Sequence, residues 1–232
     1  MRIAATNIGV SILEFLFFGG AILAAIITPF RQQRSRRKRS GELRMLARRM
    51  GFESFQPERD DNFARGWGFL SQLARGDNRY AFNVLRGSFH DETLFVFDYH
   101  YQSGSGKSTE NHDCTMLMLI FKEVFPQLGI GPERLLKKIA TALRLEADIQ
   151  FESAEFSRKF CVQSPDKKFA YDVCNPQMID YLLANPDLHI EIQGPTLMLT
   201  FEPLLSAGQI EYNLQRLAEI RSRLPQYLFT NV

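Results

Sequence analysis

The chain is poor in the residues that most often build metal centres and disulfide frameworks. Its 232 residues include three cysteines, four histidines and one tryptophan. It contains no Cys-x-x-Cys pair and no His-x-x-x-His pair, which are common spacings in metal sites. An odd number of cysteines fits buried free thiols in a reducing compartment. The sequence therefore predicts no metal and no cofactor.

Net positive charge is confined to one short stretch of the chain. The whole chain carries +2, residues 31–49 carry +8 and residues 1–30 are neutral, so residues 50–232 carry −6. A nucleic-acid-binding domain would be expected to present a basic surface. The acidic balance of residues 50–232 therefore argues against nucleic acid as a partner.

One long apolar run precedes the basic stretch. Residues 8–30 contain a single charge, Glu14, and as a helix they would span roughly 34 Å, enough to cross a bilayer. Glu14 lies about two turns from one end, so it is either tolerated near the headgroups or paired inside the membrane. Residues 1–30 are predicted to be a transmembrane anchor.

Charge placement predicts the orientation of this anchor. A signal peptide carries its positive charges before the apolar run, whereas here they follow it as a stop-transfer pattern. The positive-inside rule then places the N-terminus outside and the rest of the chain in the cytoplasm. The prediction is a single-pass protein of the bacterial inner membrane.

Residues 31–50 are predicted to be a basic collar followed by a short amphipathic helix that ends at Gly51. Basic residues beside a bilayer attract anionic lipid, so the collar is interpreted as lipid-facing. Small residues such as Gly20 and Ala24 recur along the anchor and leave open a homo-oligomer formed through it. The collar residues are Arg31, Arg34, Arg36, Arg37, Lys38 and Arg39.

Residues 51–225 are predicted to form a soluble domain, with 226–232 as a tail. Aromatic and β-branched residues predict strands at 79–87, 93–101 and 115–121, and Pro132 begins a leucine-rich helix. Further predictions are a hairpin of 159–164 with 168–173, a helix capped by Asn175, a hairpin of 188–193 with 196–201, and a helix from Ser206 to Leu224. The fold class is α+β, an antiparallel sheet of hairpins with helices on one face, preceded by one transmembrane helix.

The segment Gly104-Ser105-Gly106-Lys107-Ser108 resembles a phosphate-binding loop only in part. Position 101 is Tyr where the full motif has Gly, and a strand is predicted after the segment where the motif requires a helix. The segment is interpreted as the tip of a hairpin.

A few polar residues remain as weak functional candidates. His112 and Cys114 share a strand face, and the preceding turn is expected to bring Asp98 or His100 near them. Acids at Asp148, Glu152 and Glu155 allow acid–base chemistry, while helix capping and pairing with Arg158 or Lys159 are commoner uses. The candidates kept are Asp98, His112, Glu152 and Arg158, and no residue is assigned as catalytic.

Two motifs in this domain recur in a known group of proteins. Asp98-Tyr99-x-Tyr101 is followed by Phe151-Glu152-Ser153 and Phe156-Ser157-Arg158. In this order they resemble a widespread family of uncharacterised bacterial membrane proteins with an N-terminal anchor and a basic collar. The resemblance covers roughly residues 50–224 and implies a single-pass membrane protein without implying an activity.

The expected function is a non-enzymatic binding or scaffolding module at the cytoplasmic face of the membrane, with a protein or a lipid as partner. The alternative is a membrane-tethered hydrolase that uses an unrecognised acidic site.

Overall fold

The computed structural model describes residues 33–132 and 149–229. Within these ranges, no helix is both long enough and apolar enough to cross a membrane. The predicted anchor at 8–30, the collar residue Arg31 and nearly all of the helix predicted from Pro132 lie outside the described residues. The chain divides into two compact units, Met1–Met45 and Leu46–Val232.

The first element, α1, covers residues 33–50 as one uninterrupted helix. The collar was predicted as a segment separate from the amphipathic helix, but the described collar residues are helical. Arg34, Arg36, Arg37 and Lys38 are exposed. Gly51 ends the helix as predicted, with φ of 73°, and the N–H of Phe52 donates to the Ala47 carbonyl at 2.9 Å. This bond is the one expected after a left-handed helix cap.

The second unit is built on a six-stranded antiparallel sheet. Strands β1 to β4 are neighbours in chain order, and both β5 and β6 pair with the 22-residue β4. Because β6 follows β4 from Thr115 to Ile130, β5 occupies the opposite edge of β4, beyond the end of β3. The strands are β1 Ser54–Gln56, β2 Asp77–Phe89, β3 Glu92–Ser103, β4 Glu110–Gly131, β5 Cys161–Gln163 and β6 Ile190–Phe201.

Five further helices accompany the sheet in the described ranges. They are α2 Asp61–Gly66, α3 Ala154–Lys159, α4 Lys167–Val173, α5 Pro176–Ala184 and α6 Ala207–Arg223. The predicted Asn175 cap is confirmed, and the helix predicted from Ser206 begins there with a cap of its own. The Asn175 side chain accepts from the Met178 N–H at 3.0 Å, and Ser206 forms a reciprocal capping box with Gln209. Short 3₁₀ helices occupy Gly106–Ser108 and Gln226–Phe229, the latter within the predicted tail.

Two predicted hairpins are wrong. Residues 168–173 were predicted as a strand but belong to α4, which begins where the Asp166 side chain accepts from the Phe169 N–H at 3.0 Å. Residues 188–193 and 196–201 were predicted as two paired strands, whereas β6 is one strand. Gly194, with φ of 57°, lies opposite Phe125 at an irregular point of the β4–β6 ladder, so it marks a bulge and not a turn.

Helices cover both faces of the sheet, although a single covered face was predicted. On β3, Tyr99 and Tyr101 pack with Leu73 and the other residues that follow α2. The alternate residue Leu94 faces the opposite side, where it shares a groove with Leu217 of α6. The two sides are called the Tyr101 face and the Asp98 face. Between Leu94 and Tyr101, β3 places apolar or aromatic residues on both faces, so both of its faces require cover.

Candidate functional site

Asp98 and His112 lie on opposite faces of the sheet, which corrects the expectation that they form a pair. Asp98 stands opposite Thr115 in the β3–β4 ladder, and His112 stands opposite Tyr101. Successive residues of a strand point to opposite faces, so Asp98 and Tyr101, three positions apart on β3, point to opposite faces. His112 shares the face of its cross-strand partner Tyr101. His100 lies on the Asp98 face and therefore also fails to join His112 and Cys114.

Asp98 is buried in a hydrogen-bonded network. Its carboxylate accepts from Asn83 Nδ2 at 2.9 Å and from Thr115 Oγ1 at 3.1 Å. Thr115 Oγ1 in turn accepts from the N–H of Leu205 at 3.0 Å, in the segment that leads into α6. Asn83 has φ of 51° where the β2–β3 register shifts. Asp98 thus holds an irregular strand and the approach to α6 in place, which is a structural role.

His112 lies at the centre of a three-residue chain of hydrogen bonds. Its Nε2 is 2.8 Å from Ser103 Oγ, and its Nδ1 is 2.8 Å from Glu202 Oε1. Because a carboxylate only accepts, Nδ1 carries the proton in the neutral ring, and Nε2 accepts from the Ser103 hydroxyl. The Tyr101 ring stacks on the imidazole at 4.6 Å with an interplanar angle of 8°. Sequence reasoning selected His112 but missed both of its partners.

The partners of His112 come from separate parts of the chain. Ser103 is the last residue of β3 and lies opposite Glu110, so the hairpin register places it diagonally across from His112. Glu202 follows the end of β6 and is 90 positions away in sequence. The Ser103–His112 proximity is implied by a correct hairpin register, whereas nothing local in the sequence indicates Glu202.

The remaining candidates are exposed and stand apart from this cluster. Glu152 precedes the α3 cap, Arg158 lies in α3, and no hydrogen bond or ion pair between described residues joins either side chain to Asp98 or His112. Within the same motif, Ser153 Oγ accepts from the Phe156 N–H at 3.2 Å, and Ser157 Oγ bonds both backbone groups of Phe151. The motif therefore serves to fix α3 against the preceding loop.

Cys114 and Cys174 are unsuited to nucleophilic chemistry. Burial raises the pKa of the Cys174 thiol to about 12 and also raises the pKa of Cys114. The thiolate is the reactive form, so neither group is activated. Within 33–132 and 149–229, no group of three His, Cys, Asp or Glu residues is arranged to hold a metal ion.

An apolar groove of about 560 Å³ opens beside the C-terminal end of α1. Its walls come from the α1 terminus, from strands β2 to β4 and from α6. On its rim, Arg49 Nε donates to Glu211 Oε1 at 2.9 Å. The apolar lining residues are Met50, Phe52, Phe89, Leu94, Leu119, Leu214, Leu217 and Ala218.

Comparison with known proteins finds a likeness in fold. No protein-family model matches the chain, and no curated protein matches it. Among solved structures, the fold is similar to that of the mycobacterial trehalose monomycolate transport factor A, TtfA, with a TM-score of 0.59 and 18% sequence identity. The alignment covers 82% of this chain and 97% of TtfA. The chain therefore shares the fold of this transport factor over 82% of the chain's own length.

Proposed function

We propose that this protein is a membrane-tethered accessory module of a transport system, and that it binds the acyl chain of an anionic phospholipid. The observation that carries the proposal is the apolar groove between the end of α1 and α6. Its volume of about 560 Å³ falls within the roughly 300–1,000 Å³ typical of small-molecule pockets.

The apolar lining of the groove favours an acyl chain as the ligand. Leu94, Leu119 and Leu217 form part of a wall that offers dispersion contacts along its length and few hydrogen-bonding groups. A hydrocarbon chain gains about 0.8 kcal/mol for each buried CH₂ group, so a partly buried chain is held by several small contributions.

Basic residues beside the groove favour a ligand with an anionic headgroup. Met50 lines the groove, and it directly follows Arg48 and Arg49 at the end of the basic helix α1. Arg48 is exposed, and Arg49 lies on the rim in an ion pair with Glu211. A phosphate headgroup at this end would meet guanidinium groups, whose planar donors match phosphate oxygens well.

Membrane tethering supports the same occupant. The apolar run 8–30 with its following positive charges predicts an anchor with the N-terminus outside and the folded unit in the cytoplasm of a bacterial cell. Such a tether keeps the groove close to the lipid that it is proposed to bind. Fusion of an alkaline phosphatase after Val232 tests the orientation, since this reporter is active only outside the cytoplasm and is expected to be inactive here.

The fold likeness supports a role in transport. TtfA is a trehalose monomycolate transport factor, and its fold matches this chain over 97% of its own length. A module of this kind would act by presenting a bound ligand or by contacting a partner. An enzymatic role built on Asp98 with His112 receives no support, because these residues lie on opposite faces of the sheet.

The test is photo-crosslinking of the full-length protein in phosphatidylglycerol vesicles that contain a lipid with a diazirine on its acyl chain. We expect cross-links on groove residues such as Phe52, Leu94 and Leu214, mapped by mass spectrometry. The variant Leu214→Trp fills the groove and should reduce these cross-links at least fivefold. Tyr212→Trp adds the same ring to the exposed side of α6 and should leave them unchanged.

Two outcomes would contradict the proposal. One is cross-linking confined to residues 8–30 in every variant, which would mean that the lipid contacts only the anchor. The other is equal groove labelling in Leu214→Trp and in the unaltered protein. Vesicles of phosphatidylcholine provide the charge control, and labelling there should be clearly weaker.

A further inference from the structure

We propose that Ser103, His112 and Glu202 form a second site, a serine-nucleophile site that hydrolyses small carboxylic esters. This activity is separate from lipid binding. The groove lies on the Asp98 face with Leu94, whereas His112 lies on the Tyr101 face. The esters in question therefore reach the site from solvent and not from the groove.

The geometry is that of a nucleophile, a general base and an orienting carboxylate. Ser103 Oγ is 2.8 Å from His112 Nε2, and Glu202 Oε1 is 2.8 Å from the other ring nitrogen. Both distances lie in the hydrogen-bonding range required for this arrangement, and each ring nitrogen has the partner that it needs. The carboxylate fixes the tautomer in which Nε2 is free to accept the serine proton.

The site is held by rigid elements and is open to substrate. Ser103 and His112 belong to paired strands of one hairpin, and the Tyr101 ring supports the imidazole from one side. The His112 side chain is 17% exposed and that of Glu202 is 42% exposed. The Ser103 side chain is half-buried. These exposures place the three side chains at the protein surface and not in the core.

The reaction proceeds through an acyl intermediate. Ser103 Oγ attacks the ester carbonyl carbon while its proton passes to His112 Nε2, and the carbonyl oxygen takes the negative charge. The tetrahedral species collapses, the bond to the alcohol oxygen breaks, and Nε2 returns the proton to the departing alcohol. Water then attacks the acyl-serine by the same route, which releases the carboxylic acid and restores Ser103.

The backbone N–H of the next residue in the chain is the candidate donor for the oxyanion. In serine hydrolases, the backbone N–H of the residue after the nucleophile commonly contributes to the oxyanion hole. Here that residue is Gly104, which has φ of 87° at the start of the turn between β3 and β4. Esters are the favoured class because an alkoxide leaves more readily than an amide anion.

The first experiment treats the full-length protein in detergent with a fluorophosphonate probe and maps the label by mass spectrometry. We expect labelling at Ser103 and hydrolysis of p-nitrophenyl acetate above the background rate. Ser103→Ala should abolish both, and His112→Gln should reduce the hydrolysis rate about a hundredfold or more. Ser105→Ala, in the same turn, is the matched control and should retain both signals.

Glu202 is a positioning residue and needs its own measurement. Glu202→Gln should lower kcat and leave KM unchanged, because it disturbs the orientation of His112 and not ester binding. Glu202→Asp should recover part of the lost rate. A general loss of folding would change far-UV circular dichroism, which these variants should preserve.

The proposal is overturned by a wild-type protein that takes no label at Ser103, or by equal hydrolysis in Ser103→Ala and Ser105→Ala. Either result would mean that the hydrogen bonds among the three side chains only hold the strand ends together and do not support catalysis. Because the label is mapped in the unaltered protein, the answer does not depend on any variant folding correctly. Lipid cross-linking in the groove is unaffected by either result, so the two proposals fail separately.

Discussion

The Glu191 carboxylate on β6 accepts the backbone N–H of Ser71 at 2.6 Å, although 120 residues separate them in sequence. Its second oxygen is 3.3 Å from the N–H of Gln72. Glu191 is only 3% exposed, so both donors are satisfied inside the protein. This side chain therefore fixes the turns after α2 to the far end of the sheet.

Removal of this carboxylate should destabilise the fold. Glu191→Ala leaves two buried N–H groups without an acceptor, and we expect the free energy of unfolding to fall by about 3 kcal/mol. Glu191→Gln retains one acceptor oxygen and should cost less. Urea unfolding measures both. Glu110→Ala, an exposed position at the start of β4, should change stability by less than about 0.5 kcal/mol, and a comparable loss there would contradict the prediction.

Buried His189 should make stability depend on pH. Burial lowers its folded pKa to about 4, with a smaller contribution from Arg75. The unfolded chain binds a proton near pH 6.5 and the folded chain does not, so stability is lost as pH falls below 6.5 towards 4. Between pH 7.5 and pH 5 this group alone should cost about 2 kcal/mol.

The pH prediction is measured as a difference between proteins. Burial raises the pKa of Glu191, which favours folding at low pH and opposes His189 in the wild type. Urea unfolding of wild type and His189→Gln at both pH values cancels the shared contribution of Glu191. The stability of the wild type should fall by about 2 kcal/mol more than that of the variant. Parallel pH profiles would show that His189 does not titrate as described.

Gly131 lies too close to His189 to carry a side chain. A Cβ at position 131 would stand 2.9 Å from His189 Cδ2. Gly131→Ala should therefore lower the melting temperature, at a cost of about 1–3 kcal/mol from overpacking. Gly208→Ala, in the first turn of α6 with no atom within 4 Å, provides the comparison and should be neutral or stabilising. If Gly208→Ala lowered the melting temperature as much as Gly131→Ala, the close approach of His189 would not explain the effect at position 131.

The cap of α6 should be worth about 1 kcal/mol. Ser206 Oγ accepts from the Gln209 N–H at 3.3 Å, and Gln209 Oε1 accepts from the Ser206 N–H at 2.8 Å. Ser206→Ala removes one of these bonds and should reduce the free energy of unfolding by about 1 kcal/mol. Ser222→Ala, near the other end of the same helix, should cost less, as thermal unfolding of the pair would show.

Local signals explain the parts of the fold that the sequence predicted well. Asn175 before Pro176, Ser206 before Gln209, and Gly51 after α1 each act on backbone groups within a few residues. The strands at 79–87, 93–101 and 115–121 are confirmed because aromatic and β-branched residues favour extended backbone whatever their partner.

One error overlooked a local helix signal, and the other arose where a distant strand decided the outcome. Residues 168–173 contain Phe169, Ala170 and Val173, all buried in α4, and this spacing fits a helix that the Asp166 cap starts. Gly194 and Pro195 look like a turn in isolation. In the structure, β6 continues through them because the long β4 offers a partner on both sides of the bulge.

By itself, the sequence determined the concentration of charge in residues 31–49, the helix caps and the α+β class, since each depends on composition or on neighbours a few positions apart. Only the tertiary structure decided which polar side chains meet. Strand parity places Asp98 and His112 on opposite faces, and the return of β6 along β4 brings Glu202 to His112. Register and strand order are set by packing over the whole sheet, so no local pattern encodes them.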